Sequence, residues 1–256
     1  MNGAFQIAAV GLEAQQRALD TIANNISNVN TPGFKRSNMR FSEILASRPT
    51  ESVRADLGQS LITTAGVQSD ALFMLDEQGR LEATGRAMDL AIDGSGFIEL
   101  LGAEGQSLLW RGGTLKLGED GQLSTLDGIA LKAGVSVPAD ATDIAISADG
   151  VVKAFTADSA DGIEIGQIAL VRIENPETVE RLDGGYYRAG ADTRVVDSRP
   201  GEDGAGRLVQ GSIERSTVEL TSEMVQLMLV QRAYAANAQL IQAADQLMAL
   251  ANGLRR

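Results

Sequence analysis

The chain has 256 residues, 44% of them hydrophobic, and a formal net charge of −12, so it carries enough apolar material for a sizeable core. It contains no cysteine and no histidine, which removes disulfides, thiolate nucleophiles, the usual zinc ligands and the commonest general base, and no cofactor or metal site is expected. An acidic chain without clustered cations does not suit nucleic acid. No run approaches the roughly 18 consecutive apolar residues of a spanning helix, so membrane insertion is not expected either.

From the N-terminus, Phe5, Ala8, Leu12, Gln15, Leu19, Ile22, Ile26 and Val29 step by three and four residues, with Gln15 as their one polar member. That spacing predicts a helix carrying a heptad seam over residues 1–35. The helix should stop near Asn28, because Asn24, Asn25, Asn28 and Asn30 crowd its last turns and Pro32-Gly33 imposes a turn before Phe34, a candidate anchor. Met1 to Gly11 lacks a basic leader and the seam runs through any cleavage position, so export would proceed without a cleaved Sec-type signal.

Residues 36–80 are weakly periodic and read as an extended connector, with a short helix at Phe41 to Ala46 and a polar stretch from Ser47 to Ser60. From 81 to 212 the texture changes to short alternating runs, such as Leu90 and Ile92 or Ile144 and Ile146. Asp-Gly pairs at Asp93, Asp120, Asp127, Asp149, Asp161, Asp183 and Asp203 punctuate them. Asp-Gly suits tight turns that need positive φ, which predicts an antiparallel β domain of many short strands. Residues 213–256 form the last element. Ser216 and Glu219 have the spacing of a capping box, and Leu227, Val230, Tyr234, Asn237, Ile241, Ala244, Met248 and Ala251 repeat the three-four rhythm. Strands between terminal helices make the fold α+β, with the helices pairing as a coiled-coil-like layer.

Charge divides the chain further. Residues 1–47 hold Glu13, Asp20 and Glu43 against Arg17, Lys35, Arg36 and Arg40, and residues 217–256 balance three acids with three arginines. The negative charge therefore falls on the middle, which stays solvated while the neutral ends are able to associate. Two readings follow: the helices close one core, or they pack against copies of themselves. Gln15 and Asn237 either fix register, by meeting each other or a neighbour's backbone, or are merely hydrated. Gly94-Ser95-Gly96 lacks the third glycine and basic residue of a nucleotide loop, and the isolated aspartates lack the ladder of a calcium loop.

Four segments carry a resemblance. Ile22 to Arg36 (IANNISNVNTPGFKR), Gln78 to Phe97 (QGRLEATGRAMDLAIDGSGF), Ile165 to Pro176 and Gln210 to Asn237 (QGSIERSTVELTSEMVQLMLVQRAYAAN) are similar to the bacterial flagellar rod and hook proteins, the axial proteins of the basal body. The resemblance implies a subunit of a helical tube: terminal helices around a central channel, a β domain outside, and secretion by the flagellar export apparatus. Its implied partners are copies of itself and the other rod and hook proteins. The length favours the mid-sized rod types, and the C-terminal block and the long connector lean towards the distal before the proximal type, with a hook-type protein as the alternative. One departure is Leu109-Trp110-Arg111-Gly112-Gly113, where the family often has an aspartate after the arginine, so a looser turn is expected there. The rival readings from other classes are a peptidoglycan-active enzyme using β-domain carboxylates and a soluble adhesin or binding module.

Overall fold

The computed structural model describes residues 2–46, 63–75, 77–102, 105–157, 159–175, 178–190, 193–202 and 204–253. The chain is mostly β, with one long helix near each end, and it divides into two compact units. The first unit comprises residues 1–27, 37–72 and 219–256, and the second comprises residues 28–36 and 73–218.

The first unit contains α1 (Asn2–Ser27), the strands β1 (Ser37–Ala46) and β2 (Thr63–Phe73), which pair with each other, and α2 (Leu220–Gly253). α1 ends where the asparagines and Pro32-Gly33 were expected to end it. Asn28 O accepts the Thr31 amide at 3.1 Å, and Gly33 takes a left-handed φ of 67°. Val29 consequently lies in the turn beyond the helix. The expected helix at Phe41 to Ala46 is instead part of β1: the run SNMRFSEILA pairs with β2 over a length that local helix propensity cannot outweigh. The polar stretch Ser47 to Ser60 lies outside the described residues.

The C-terminal helix starts later than expected, at Leu220. Ser216 Oγ accepts the Val218 amide at 3.2 Å, forming a local turn rather than a capping box, and Glu219 stands immediately before the helix with its carboxylate accepting from Ser222 Oγ at 2.8 Å. Residues 212–214, where the helical segment was expected to begin, form a strand.

The second unit is built from short strands: β3 (Leu81–Ala83), β4 (Asp89–Asp93), β5 (Phe97–Leu101), β6 (Ser107–Trp110), β7 (Gly112–Leu117), β8 (Leu123–Thr125), β9 (Ala130–Leu131), β10 (Ala141–Ile146) and β11 (Val151–Thr156). They continue as β12 (Ser159–Gln167), β13 (Leu170–Ile173), β14 (Val179–Arg181), β15 (Tyr186–Ala189), β16 (Val195–Ser198), β17 (Arg207–Gln210) and β18 (Ser212–Glu214). An eleven-stranded antiparallel sheet follows the path β14-β15-β6-β5-β9-β8-β7-β4-β17, with β13 joining β5 to β16. β10-β11-β12 and β18-β3 form smaller sheets. Leu90, Ile92, Leu100, Leu115, Ile168 and Leu170 are fully buried in a single core.

The Asp-Gly pairs behave largely as turn signals: Gly94, Gly121, Gly128, Gly150 and Gly184 all have positive φ. Gly162 is different, because Asp161-Gly162 lies inside β12, where the positive φ of 72° accompanies irregular register against β11. Asp203 lies outside the described residues. Asp127, expected to be only a solvated turn residue, accepts the Tyr186 hydroxyl at 2.5 Å, and burial together with this carboxylate pushes the Tyr186 pKa up to about 12.

The segment expected to be a looser turn is buried sheet. Trp110 ends β6, Arg111 is 2% exposed, and Gly112 pairs with Ala91 across the β4–β7 ladder. A Cβ on Gly112, at φ +100°, would stand 2.4 Å from the Leu90 carbonyl oxygen, so an aspartate has no room there. Gly85, at φ +70°, has nothing within 4 Å of the same position. Gly85→Ala should therefore cost about 1 kcal/mol and Gly112→Ala about 3 kcal/mol or more. Urea unfolding followed through Trp110, the one tryptophan of the chain, reads both; equal costs would contradict the close approach of β4 to β7.

Candidate assembly interface

In the first unit, α1 buries Ala14, Ala18, Ile22 and Asn25, a stripe with helical spacing whose small alanines permit close approach of another helix. Asn25 is the polar anchor of this unit. Its amide donates to Ser37 O at 2.8 Å and to Glu223 Oε2 at 3.2 Å, while its carbonyl oxygen accepts the Ser37 amide at 3.0 Å. Asn25 and Glu223 are both essentially inaccessible to solvent. One side chain thereby ties the last turn of α1, the start of β1 and the first turn of α2.

The residues of the expected seams fall as follows. Ile22 is buried, and Leu12, Gln15, Leu19 and Ile26 are half-buried on α1. Leu227, Val230, Asn237 and Ile241 are half-buried on α2, and Tyr234 is exposed. The side chains of Phe5, Ala8, Ala244, Met248 and Ala251 lie outside the described residues. The two polar seam members do not bond as a pair: Asn237 Nδ2 lies 3.5 Å from the Cβ position of Gly11, and Gln15 Oε1 is buried without a hydrogen bond among the described residues. Met224, Val225, Met228, Leu229 and Leu240 are all about half exposed or more. A helix apolar on several faces is built to be covered on several faces.

The second unit fixes the TPGFKR stretch with buried charge. Lys35 Nζ donates to Glu214 Oε1 at 2.6 Å and to the Glu77 carbonyl at 2.5 Å, and Gly79 N donates to the same carboxylate oxygen at 2.7 Å. The other oxygen, Glu214 Oε2, accepts from Arg111 Nε at 3.1 Å and Nη2 at 3.0 Å, while the guanidinium also holds the Gly94 and Gly96 carbonyls at 2.9 and 2.5 Å. The Lys35, Arg111 and Glu214 side chains are all at most 3% exposed. Burial, then the neighbouring Arg111 charge, holds Lys35 below the usual lysine range against the opposing pull of Glu214.

Backbone bonds complete this clamp: Gly33 N to Glu214 O at 2.8 Å, Thr217 N to Phe34 O at 3.1 Å and Arg36 N to Thr217 Oγ1 at 2.8 Å. Arg181 stacks 4.2 Å from the Phe34 ring centre, donates to the Lys35 carbonyl, and faces Tyr187, whose hydroxyl accepts the Lys35 amide at 3.3 Å. Phe34 is thus the buried anchor expected for it.

These features define a class: a chain whose buried charge fixes shape rather than chemistry and whose α2 leaves large apolar side chains exposed. Among the described residues no group of His, Cys, Asp and Glu could hold a metal, and no helix is long and apolar enough to cross a membrane. Residues 5–35 match the family of flagella basal body rod proteins, 91–154 the flagellar hook protein FlgE/F/G D1 domain, and 209–254 the C-terminal region of the flagellar basal body rod FlgEFG proteins. The flagellar basal-body rod protein FlgG of Borreliella burgdorferi is 34% identical over the whole of both chains, and that of Agrobacterium fabrum 33% identical over 96% of this chain and 97% of its own. The flagellar hook protein FlgE of Rhizobium meliloti is 29% identical over 78% of this chain but only 53% of its own length. The chain belongs to the flagellar basal-body rod protein family. It is a structural subunit of the flagellar basal body and not an enzyme.

The sequence reading missed the Lys35–Glu214–Arg111 cluster. Its members lie up to 179 residues apart, so no spacing rule links them; the available signal was that Lys35 and Glu214 fall inside family-like segments and Arg111 in the short segment that departs from the family pattern only after its arginine. Two buried cations face one carboxylate, so Glu214→Gln worsens the imbalance while Lys35→Met removes it. Glu214→Gln should cost about 3–5 kcal/mol and Lys35→Met distinctly less, measured by urea unfolding; the reverse order would contradict this account. The folded pKa of Lys35 lies below its ordinary 10.5. Between the two values the unfolded chain binds the extra proton, so the Lys35 contribution raises stability as pH rises through that window and is constant below it. Lys35→Met should flatten that alkaline rise.

Proposed function

We propose that this chain is a distal-rod subunit that polymerises through its terminal helices into a helical tube, transmitting torque and enclosing the export channel. The observation that carries the proposal is the exposed apolar surface of α2 on a chain from a rod family. Burying such a surface removes a cost of roughly 25 cal/mol per Å² of apolar area. A head-to-tail contact repeated between subunits does not close on itself and grows as a filament. In this reading the helices of successive subunits make a coiled-coil-like inner layer, and the seam residues from Phe5 to Val29 and from Leu227 to Ala251 line the contacts between subunits.

The subunit is placed in the periplasm after passage through the flagellar export apparatus, where it meets the other rod proteins and the hook. A hook-type role is the weaker reading, because the chain spans only 53% of the hook relative's length.

Ile22→Asp and Leu227→Asp each put a charge into the repeated helix packing, where an unpaired buried charge is strongly unfavourable. Both variants should abolish rod assembly and motility in a strain lacking the native protein. Their β unit should keep its Trp110-reported unfolding midpoint. Motile cells carrying either variant would contradict the proposal.

A further inference from the structure

The Gly94-Ser95-Gly96 loop has no third glycine and no basic residue beside it in the sequence. Folding supplies both from distant stretches. In the second unit this loop, between β4 and β5, lines a cavity of about 120 Å³ together with Arg111, Arg172 of β13 and Gly204. Ser95 and Arg172 are exposed, while Arg111 is buried. Among the described residues no acid lines the cavity, and the carboxylate of Asp93, just before the loop, accepts from Gln78 Nε2 at 3.1 Å.

Arg111 brings more positive charge to this wall than its partners neutralise, because it shares the single carboxylate of Glu214 with Lys35. A guanidinium has five N–H groups. The bonds of Arg111 to Glu214, Gly94 O and Gly96 O use at most four of them, so one N–H of Nη1 has no acceptor among the described residues. A buried donor without an acceptor and a buried excess of charge are both unfavourable. One anion in the cavity relieves both, and a tetrahedral oxyanion offers several oxygens to two planar guanidiniums at once.

We infer that this cavity is a binding site for a small oxyanion of the phosphate type, held between the guanidiniums of Arg111 and Arg172 with the Ser95 hydroxyl as a further donor at its mouth. The bound anion ties the loop between β4 and β5 to β13 and stabilises the folded unit by its binding free energy. The site belongs to the second unit alone and does not depend on the rod reading.

Isothermal titration of the full-length protein with inorganic phosphate, sodium chloride holding the ionic strength constant, should show saturable binding. The urea midpoint reported by Trp110 should rise with phosphate and not with chloride. Arg172→Gln, which removes a charged donor, and Ser95→Glu, which sets a carboxylate at the mouth, should each weaken phosphate binding about tenfold. Ser95→Gln, of similar bulk but neutral, should retain it. Absence of saturable binding, an equal response to chloride, or unchanged binding in either Arg172→Gln or Ser95→Glu would overturn the inference. A loss in Ser95→Gln as large as in Ser95→Glu would overturn it too, since bulk rather than charge would then govern the site.

Discussion

The second unit depends on one carboxylate. Glu214 accepts from Lys35, Gly79 and Arg111, and Arg111 in turn holds two carbonyls of the loop between β4 and β5. Four stretches distant in sequence are thereby fixed around a group with almost no access to water. A buried ion pair of this kind adds little net stability over an apolar replacement, yet it tolerates very few geometries. In this protein its directional bonds determine where the TPGFKR stretch leaves the β unit. The Phe34–Arg181–Tyr187 stack then holds that stretch from its other side.

The first unit uses the opposite economy. Its polar anchor is the Asn25 network with Ser37 and Glu223, and the remainder of its packing comes from small and apolar side chains on two long helices. α2 keeps methionines, valine and leucines in water because a single chain has too few partners to cover them. Such surface is a liability for a monomer and an asset for a polymer. Acidic residues are concentrated in the middle of the chain, where their mutual repulsion favours a solvated surface.

Much of this was legible in the sequence, for physical reasons that differ by element. The end of α1 was readable because asparagines and Pro32-Gly33 act locally, and the β unit because Asp-Gly turns do. β1 was misread as partly helical because its strand character comes from pairing with β2, across residues that no local rule connects. The start of α2 was placed too early because Ser216 satisfies a nearby amide in a turn of its own. A heptad count also could not distinguish the alanine-lined stripe of Ala14 and Ala18 from the neighbouring leucine stripe of Leu12 and Leu19, since both repeat at helical spacing. Gly112 looked like a lost aspartate and is instead a point where two strands nearly touch.

The central claim, that the chain is a subunit whose terminal helices build a tube, is tested most directly by electron cryomicroscopy of the purified full-length protein over a rising concentration series, alone and mixed with other rod subunits. The account predicts tubes above a critical concentration, with helical density for α1 and α2 around a central channel and the β unit outside. A chain that stays monomeric in every mixture, or tubes whose contacts run only through the β unit, would contradict it.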